Sequence, residues 1–152
     1  MDAVAKLSEI LTKAPELLSA ISAEDAAKHE APDKWSKKQE LGHLVDSACN
    51  NHQRVVRAQL ETEPSLPDYD GDRWVALHDY QGMEWNEIIG RWRVLNEQLV
   101  RAATAISQQA AERKLTVGGG SPITLSSWST TTWIICCIIC GTSGLMLAHG
   151  RD

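Results

Sequence analysis

Apolar residues recur at helical spacing over most of the first 106 positions. Val4, Leu7, Ile10 and Leu11 fall three and four apart and predict an amphipathic helix over 2–13. Pro15 suits the first turn of a continuation through Leu17, Leu18 and Ile21, with a kink at the junction. Ser22 to Asp25 opens a short helical turn that Ala31, Pro32 and Asp33 close as a loop. Ser36 followed by Gln39 is a capping-box pattern, and from there to about Glu61 the sole Gly or Pro is Gly42. Leu41, Leu44, Ala48, His52, Val55 and Gln59 mark one stripe of this second long helix. Pro64 to Gly71 is a turn-rich connection, after which Asp72 suits the cap of a segment carrying Trp74, Val75 and Leu77 that Gly82 interrupts. Trp85, Ile88, Trp92, Leu95, Leu99, Ala102 and Ile106 then give the cleanest periodicity, a third long helix. Glu112 to Pro122, with three consecutive Gly, reads as a loop or small hairpin, and no internal repeat is visible.

The 152 residues, 43% of them hydrophobic, suit a single domain over 1–152 with one core. Fifteen Lys and Arg against twenty Asp and Glu leave a net charge of -5 with no basic block, which argues against nucleic acid as a partner. The opening Met-Asp-Ala-Val-Ala-Lys has no charged leader before an apolar run, so the expectation is a cytoplasmic protein whose four Cys are thiols. From Leu115 to Ala148 there is no Asp, Glu, Lys or Arg. Three long helices need a fourth to cover their apolar stripes, yet 123–150 shows no amphipathic face. Thr130 to Thr132 and the run Trp133 to Cys140 are dense in β-branched residues that resist a helix on propensity. The uncharged stretch Trp133 to Ala148 is shorter than the roughly 20 residues a membrane helix needs, which argues against a membrane partner and against the alternative of a tail anchor.

His43, Asp46, Ser47 and Asn50 form a polar stripe on the second long helix beside the apolar one. Spacing alone leaves two readings open: a solvated face, on which Asp46 points to water, or a site between helices of the kind where histidine and carboxylates bind metals. His52 reads as a core or boundary histidine, His29 as solvated, and His78 as free to approach a site without any spacing that requires it. Cys137-x-x-Cys140 lacks the second Cys pair of a zinc site.

The stretch Lys34 to Ser47, continued by Asn50-Asn51-His52-Gln53-Arg54, resembles the second-helix signature of the DinB-like superfamily, with Gln39 in place of the usual Glu. The likeness extends to Asp72-Arg73-Trp74-Val75, Tyr80 and the spaced Trp of the third helix, roughly residues 1 to 125. It implies an all-α four-helix bundle of DinB-like type whose fourth helix is altered in sequence. It also implies His43 as one ligand of a divalent metal, zinc or nickel, with two further His from the fourth helix. The chemistry implied is that of a metal-dependent thiol S-transferase or hydrolase acting on small molecules with a low-molecular-weight thiol, and a homodimer is the expected assembly; the catalytic residues stay unknown. With no His between His78 and His149, this chain lacks the two fourth-helix ligands, so the resemblance implies weak or absent metal and impaired activity. A metal-free helical binding or dimerisation module is the alternative.

The genetic code suggests why the ligands are missing. Taking the last base of each codon with the first two of the next, Trp133 into Ile134 must give Asp and Cys136 into Cys137 must give Leu. Ile134 into Ile135 and Ile138 into Ile139 permit His, Tyr or Asn, and Cys137 into Ile138 permits His or Tyr. One permitted reading is Asp-Asp-Tyr-Val-Asp-His-Met-Leu-His-His, with imidazoles at the places of Ile135, Ile138 and Ile139. Two of these, four apart, share one helical face. The expectation is a frameshift near Ser126 and Ser127 that leaves 126–152 out of frame. The coding DNA tests it: His codons are expected at the three shifted junctions, and Tyr or Asn codons there would rule the reading out.

Overall fold

The computed structural model describes residues 3–128. Helix α1, Ala3–Ser19, runs through Pro15, and α2, Ala23–Ala27, is capped by the Ser22 hydroxyl, which accepts from the Asp25 N–H. Helix α3, Lys37–Leu60, opens with both halves of the predicted capping box: the Gln39 N–H donates to Ser36 Oγ at 3.3 Å, and the Ser36 N–H donates to Gln39 Oε1 at 3.0 Å. Ser36 Oγ also donates to Gln81 Oε1 at 2.6 Å, and Gln81 Nε2 donates to the Ala27 carbonyl at 2.8 Å. One capping residue thus ties α2, α3 and the 3-10 turn Tyr80–Gly82 together.

Helix α4, Gly71–His78, is capped by Asp70 rather than by Asp72, two residues earlier than the sequence pattern suggests. Asp70 has the extended backbone of a cap, while Asp72 falls in the first turn, where a carboxylate also suits the helix dipole. Helix α5 spans Trp85–Thr104 and α6 spans Gln108–Ala111. The expected loop or hairpin is strand β2, Lys114–Val117, returning to an antiparallel strand β3, Ile123–Thr124. Gly118 and Gly119 take positive φ at the turn, where a Cβ would be strained. A further strand, β1, Ser65–Leu66, lies parallel to β2 within the turn-rich connection.

The predicted stripes meet. Leu7, Leu11, Ala14 and Leu18 of α1 join Leu41, Leu44 and Val45 of α3 and Trp85, Ile88, Ile89 and Trp92 of α5 in one buried cluster. Val55, Ala58, Leu66, Leu99, Ala103, Leu115, Leu125 and Trp128 form a second. Trp85 Nε1 donates to the Leu18 carbonyl at 2.9 Å, which satisfies a buried indole donor. A helical turn opens at Leu125. The rest of the fourth segment, with Ile135, Ile138, Ile139, the Cys137/Cys140 pair and the stretch Trp133 to Ala148, lies outside the described residues. No helix among the described residues is long and apolar enough to cross a membrane.

Two glycines give a test with opposite signs. A Cβ on Gly42 would come within 2.2 Å of the Tyr80 ring, whereas one on Gly90 would meet nothing within 4 Å. Alanine at an open helical position stabilises by up to about 1 kcal/mol, but a wedge against a buried ring costs about 1–3 kcal/mol. In urea unfolding, Gly42→Ala is expected to lower stability by a few kcal/mol, on the order of that wedge cost, and Gly90→Ala to raise it slightly. An unchanged midpoint for Gly42→Ala would contradict the packing described.

Candidate metal centre

The polar stripe of α3 faces inward. Asp46 is 2% exposed, Asn51 1% and Arg54 8%, while His43, Ser47 and Asn50 are partly buried. The expectation that Asp46 points to water is therefore wrong, and so is the reading of the stripe as a solvated face. The cause is long-range: the chain from Pro67 to Tyr80 passes over this side of α3 and covers it.

His43 sits between aromatic rings, with centroids 5.2 Å from Trp35 and 6.3 Å from Tyr69. Gly71, at the start of α4, leaves room for it, since a Cβ there would stand 2.9 Å from His43 Cε1 and 3.1 Å from Nδ1. Nδ1 is buried and has no hydrogen-bond partner among the described residues. Burial holds the imidazole pKa below its ordinary value, against the opposing pull of Asp46 and Asp72. The ring is thereby biased to the neutral form that metals require.

One turn along α3, Asp46 Oδ1 accepts from the Tyr80 hydroxyl at 2.7 Å and lies 2.9 Å from His78 Nδ1. Its other oxygen, Oδ2, is buried without a partner among the described residues. Burial pushes the Asp46 carboxyl pKa up, and the Tyr80 hydrogen bond and the His78 and His43 charges pull it down. Burial and the neighbouring carboxylate also push the Tyr80 hydroxyl well above its ordinary value. His78, which sequence spacing did not require, is thus part of the site. Its ring stands edge-on to Trp74 at 5.8 Å and 5.4 Å from Tyr80.

Farther along the same face, Asn51 Nδ2 donates to Ser47 Oγ at 3.1 Å and Arg54 Nη1 to Asn51 Oδ1 at 3.2 Å. Arg54 Nη2 donates to the Pro67 carbonyl at 3.0 Å, and its guanidinium carbon stands 5.9 Å from the centres of the Tyr69 and Trp128 rings. Tyr69 carried no sequence signal, because it lies in an irregular connection. His52 is partly buried at the boundary, and His29 is exposed with Nδ1 2.7 Å from the Lys34 carbonyl. A cavity of about 410 Å³, lined by Ile21, Asp25, His29, Trp35 and Glu40 among others, shares Trp35 with this ring wall and none of its polar groups.

The arrangement offers a divalent ion one suitable imidazole. Among the described residues no three His, Cys, Asp or Glu are grouped to hold a metal. Three protein donors for one ion are therefore not brought together among the described residues.

Residues 6–131 match the family profile of the DinB superfamily. A protein of Oceanobacillus iheyensis named "Putative metal-dependent hydrolase OB0413" is 21% identical over 98 residues, 64% of this chain and 56% of that protein. The chain thus spans just over half the length of this relative. YfiT from Bacillus subtilis, described as "a probable metal-dependent hydrolase with an unusual four-helix bundle topology", superposes with a TM-score of 0.79 at 18% identity, covering 99% of this chain and 87% of its own. A mutant of a mycothiol-dependent maleylpyruvate isomerase gives a TM-score of 0.71 at 13% identity, covering 95% of this chain and 59% of its own. At such identities the likeness is one of fold, and that fold is the all-α four-helix bundle expected from the sequence.

The depressed His43 pKa fixes a pH dependence. Below its ordinary value of 6.5 the unfolded chain takes up a proton that the folded protein resists, so this contribution to stability is lost as pH falls through 6.5 toward the folded value. The raised Asp46 pKa acts oppositely, favouring the fold at low pH and fading as pH rises through its folded value, above 3.8. In urea unfolding, the difference in stability between pH 7.5 and pH 5.5 is expected to shift toward the acid side in His43→Gln. An unchanged difference would mean that His43 is not desolvated.

Proposed function

The chain belongs to the DinB superfamily, and we propose that the buried face of α3 around His43 is the seat of metal-dependent hydrolysis or thiol transfer on small molecules, impaired in this chain. One observation carries the reading: His43 is a half-buried imidazole, biased by burial toward its neutral form, with Nδ1 buried and unpartnered among the described residues beside a glycine that makes room for the ring. Fully solvated surface histidines do not need such a cradle. The hydrolase class is supported by the names carried by the Oceanobacillus and Bacillus relatives. The thiol is supported by the mycothiol dependence named for the isomerase of like fold.

Impairment follows from counting donors. A catalytic zinc site uses three protein ligands and keeps one position open. Here His43 stands alone of the set, because Ile135, Ile138 and Ile139 occupy the places where the shifted reading puts imidazoles. Hydrocarbon side chains cannot replace them, and His43 alone does not hold a catalytic ion. Zinc or nickel is the metal of the reading, and a compact protein of the cytoplasm that forms homodimers is its setting.

Elemental analysis of protein purified without an affinity tag tests the donor count. Well under one equivalent of metal is expected, and near-stoichiometric zinc or nickel would overturn it. A variant carrying the shifted reading over 130–139 is expected to take up about one zinc per chain. Adding His43→Ala to that variant is expected to weaken zinc binding by more than about 100-fold, beyond the usual loss of an outer partner. Uptake indifferent to His43 would remove that residue from the site.

A further inference from the structure

The ligand reading uses His43 and leaves Asp46, His78 and Tyr80 without a task. These side chains come from α3, the last position of α4 and the 3-10 turn, and they converge on one oxygen. The Tyr80 hydroxyl donates to Asp46 Oδ1 at 2.7 Å, and His78 Nδ1 lies 2.9 Å from the same atom. The Asp46 side chain is 3% exposed and that of His78 is 48% exposed. We propose that Asp46 and His78 form a carboxylate–imidazole dyad in which His78 Nε2 accepts the proton of a protic nucleophile, water or a thiol, without need of a metal ion.

Each part of the geometry serves that task. A carboxylate facing Nδ1 favours the tautomer with its proton on Nδ1, which leaves the lone pair on Nε2. With Nδ1 taken up by the buried carboxylate and about half of the side chain exposed, Nε2 is the nitrogen left to meet a nucleophile. Tyr80 fixes the carboxylate by its own hydrogen bond, and its ring is held in the space above Gly42. Trp74 stands edge-on to the imidazole at 79° and limits its rotation. When a nucleophile X–H meets Nε2, the X–H bond breaks, the proton passes to the imidazole and the electron pair stays on X. The imidazolium formed is stabilised by the Asp46 carboxylate against its other nitrogen. His78 is the proton acceptor, and Asp46 and Tyr80 are positioning residues. A tie between helices alone would not require a half-exposed ring, nor a preferred tautomer.

The same row of rings links this dyad to His43: Tyr69 lies between His43 and Trp74, and Trp74 between Tyr69 and His78. The dyad therefore opens on the wall that carries His43, but its geometry is complete within the described residues. It stands or falls separately from the metal reading.

The test uses the full chain freed of metal with a chelator. Long-range proton–nitrogen NMR of neutral His78 is expected to show the proton on Nδ1, and in Asp46→Asn a marked fraction on Nε2. Diethyl pyrocarbonate, followed by mass spectrometry, is expected to acylate His78 about tenfold faster in the wild type than in Asp46→Asn, with Tyr80→Phe between them. A proton resident on Nε2 in the wild type would overturn the proposal, as would acylation indifferent to Asp46. The wild-type tautomer alone decides the matter should Asp46→Asn fail to fold, and the zinc measurements above have no bearing on either readout.

Discussion

A carboxylate out of contact with water governs how the polar side of this bundle is assembled. Asp46 is 2% exposed in the middle of α3, and a buried acid without partners costs several kcal/mol or takes up a proton. Its partners come from a different part of the chain, Tyr80 and His78. Satisfying Asp46 therefore brings the end of α4 and the 3-10 turn onto α3. The turn is also held by Gln81, which joins Ser36 to the Ala27 carbonyl. With its far end fixed, the connection from Pro67 onward crosses α3, and Arg54 fixes the near end through the Pro67 carbonyl. Gly71 comes to rest against His43 as a result. The histidine is thus placed by contacts that do not involve it directly.

This dependence explains what the sequence could and could not reveal. The caps of α2 and α3 and the apolar stripes of all three long helices are local, and each was legible from residues within a turn or two of one another. The two stripes of α3 were also legible, but not which environment the polar one meets. His43, Asp46, Ser47 and Asn50 have the spacing of a solvated face, and their burial is imposed by a connection that begins ten or more residues after α3 has reached Arg54. The same limit hid β1, whose partner β2 lies some fifty residues away, and Tyr69, whose place in the ring row follows from that pairing and from Arg54. Asp70 and Asp72 are equally good caps by type, and only backbone conformation separates them. His43 itself was picked out by the family signature around it, since its spacing alone favoured a solvated surface.

The face is polar on one wall and aromatic on another, and its hydrogen bonding is incomplete. Nδ1 of His43 and Oδ2 of Asp46 lack partners among the described residues, whereas Oδ1 of Asp46 takes two. Such an imbalance within one carboxylate is uncommon in a side chain kept for stability alone, because buried polar groups are generally paired. It leaves Nδ1 of His43 and Oδ2 of Asp46 as the open hydrogen-bonding positions of the described face. The metal proposed at His43 and the base proposed at His78 draw on different parts of this face: the first on an unpartnered nitrogen, the second on a carboxylate oxygen already engaged.

The last described residues show where that addition would begin. Leu125 is fully buried with Val55 and Leu66, and Trp128 is buried beside Arg54. The chain after β3 is therefore delivered to the far end of the polar face of α3, eleven residues from His43. At 1.5 Å per residue that separation is roughly 16 Å along the helix. The polar face of α3 is therefore approached at its Arg54 end by the chain that leaves β3, while its His43 end is closed by Gly71 and the row of rings.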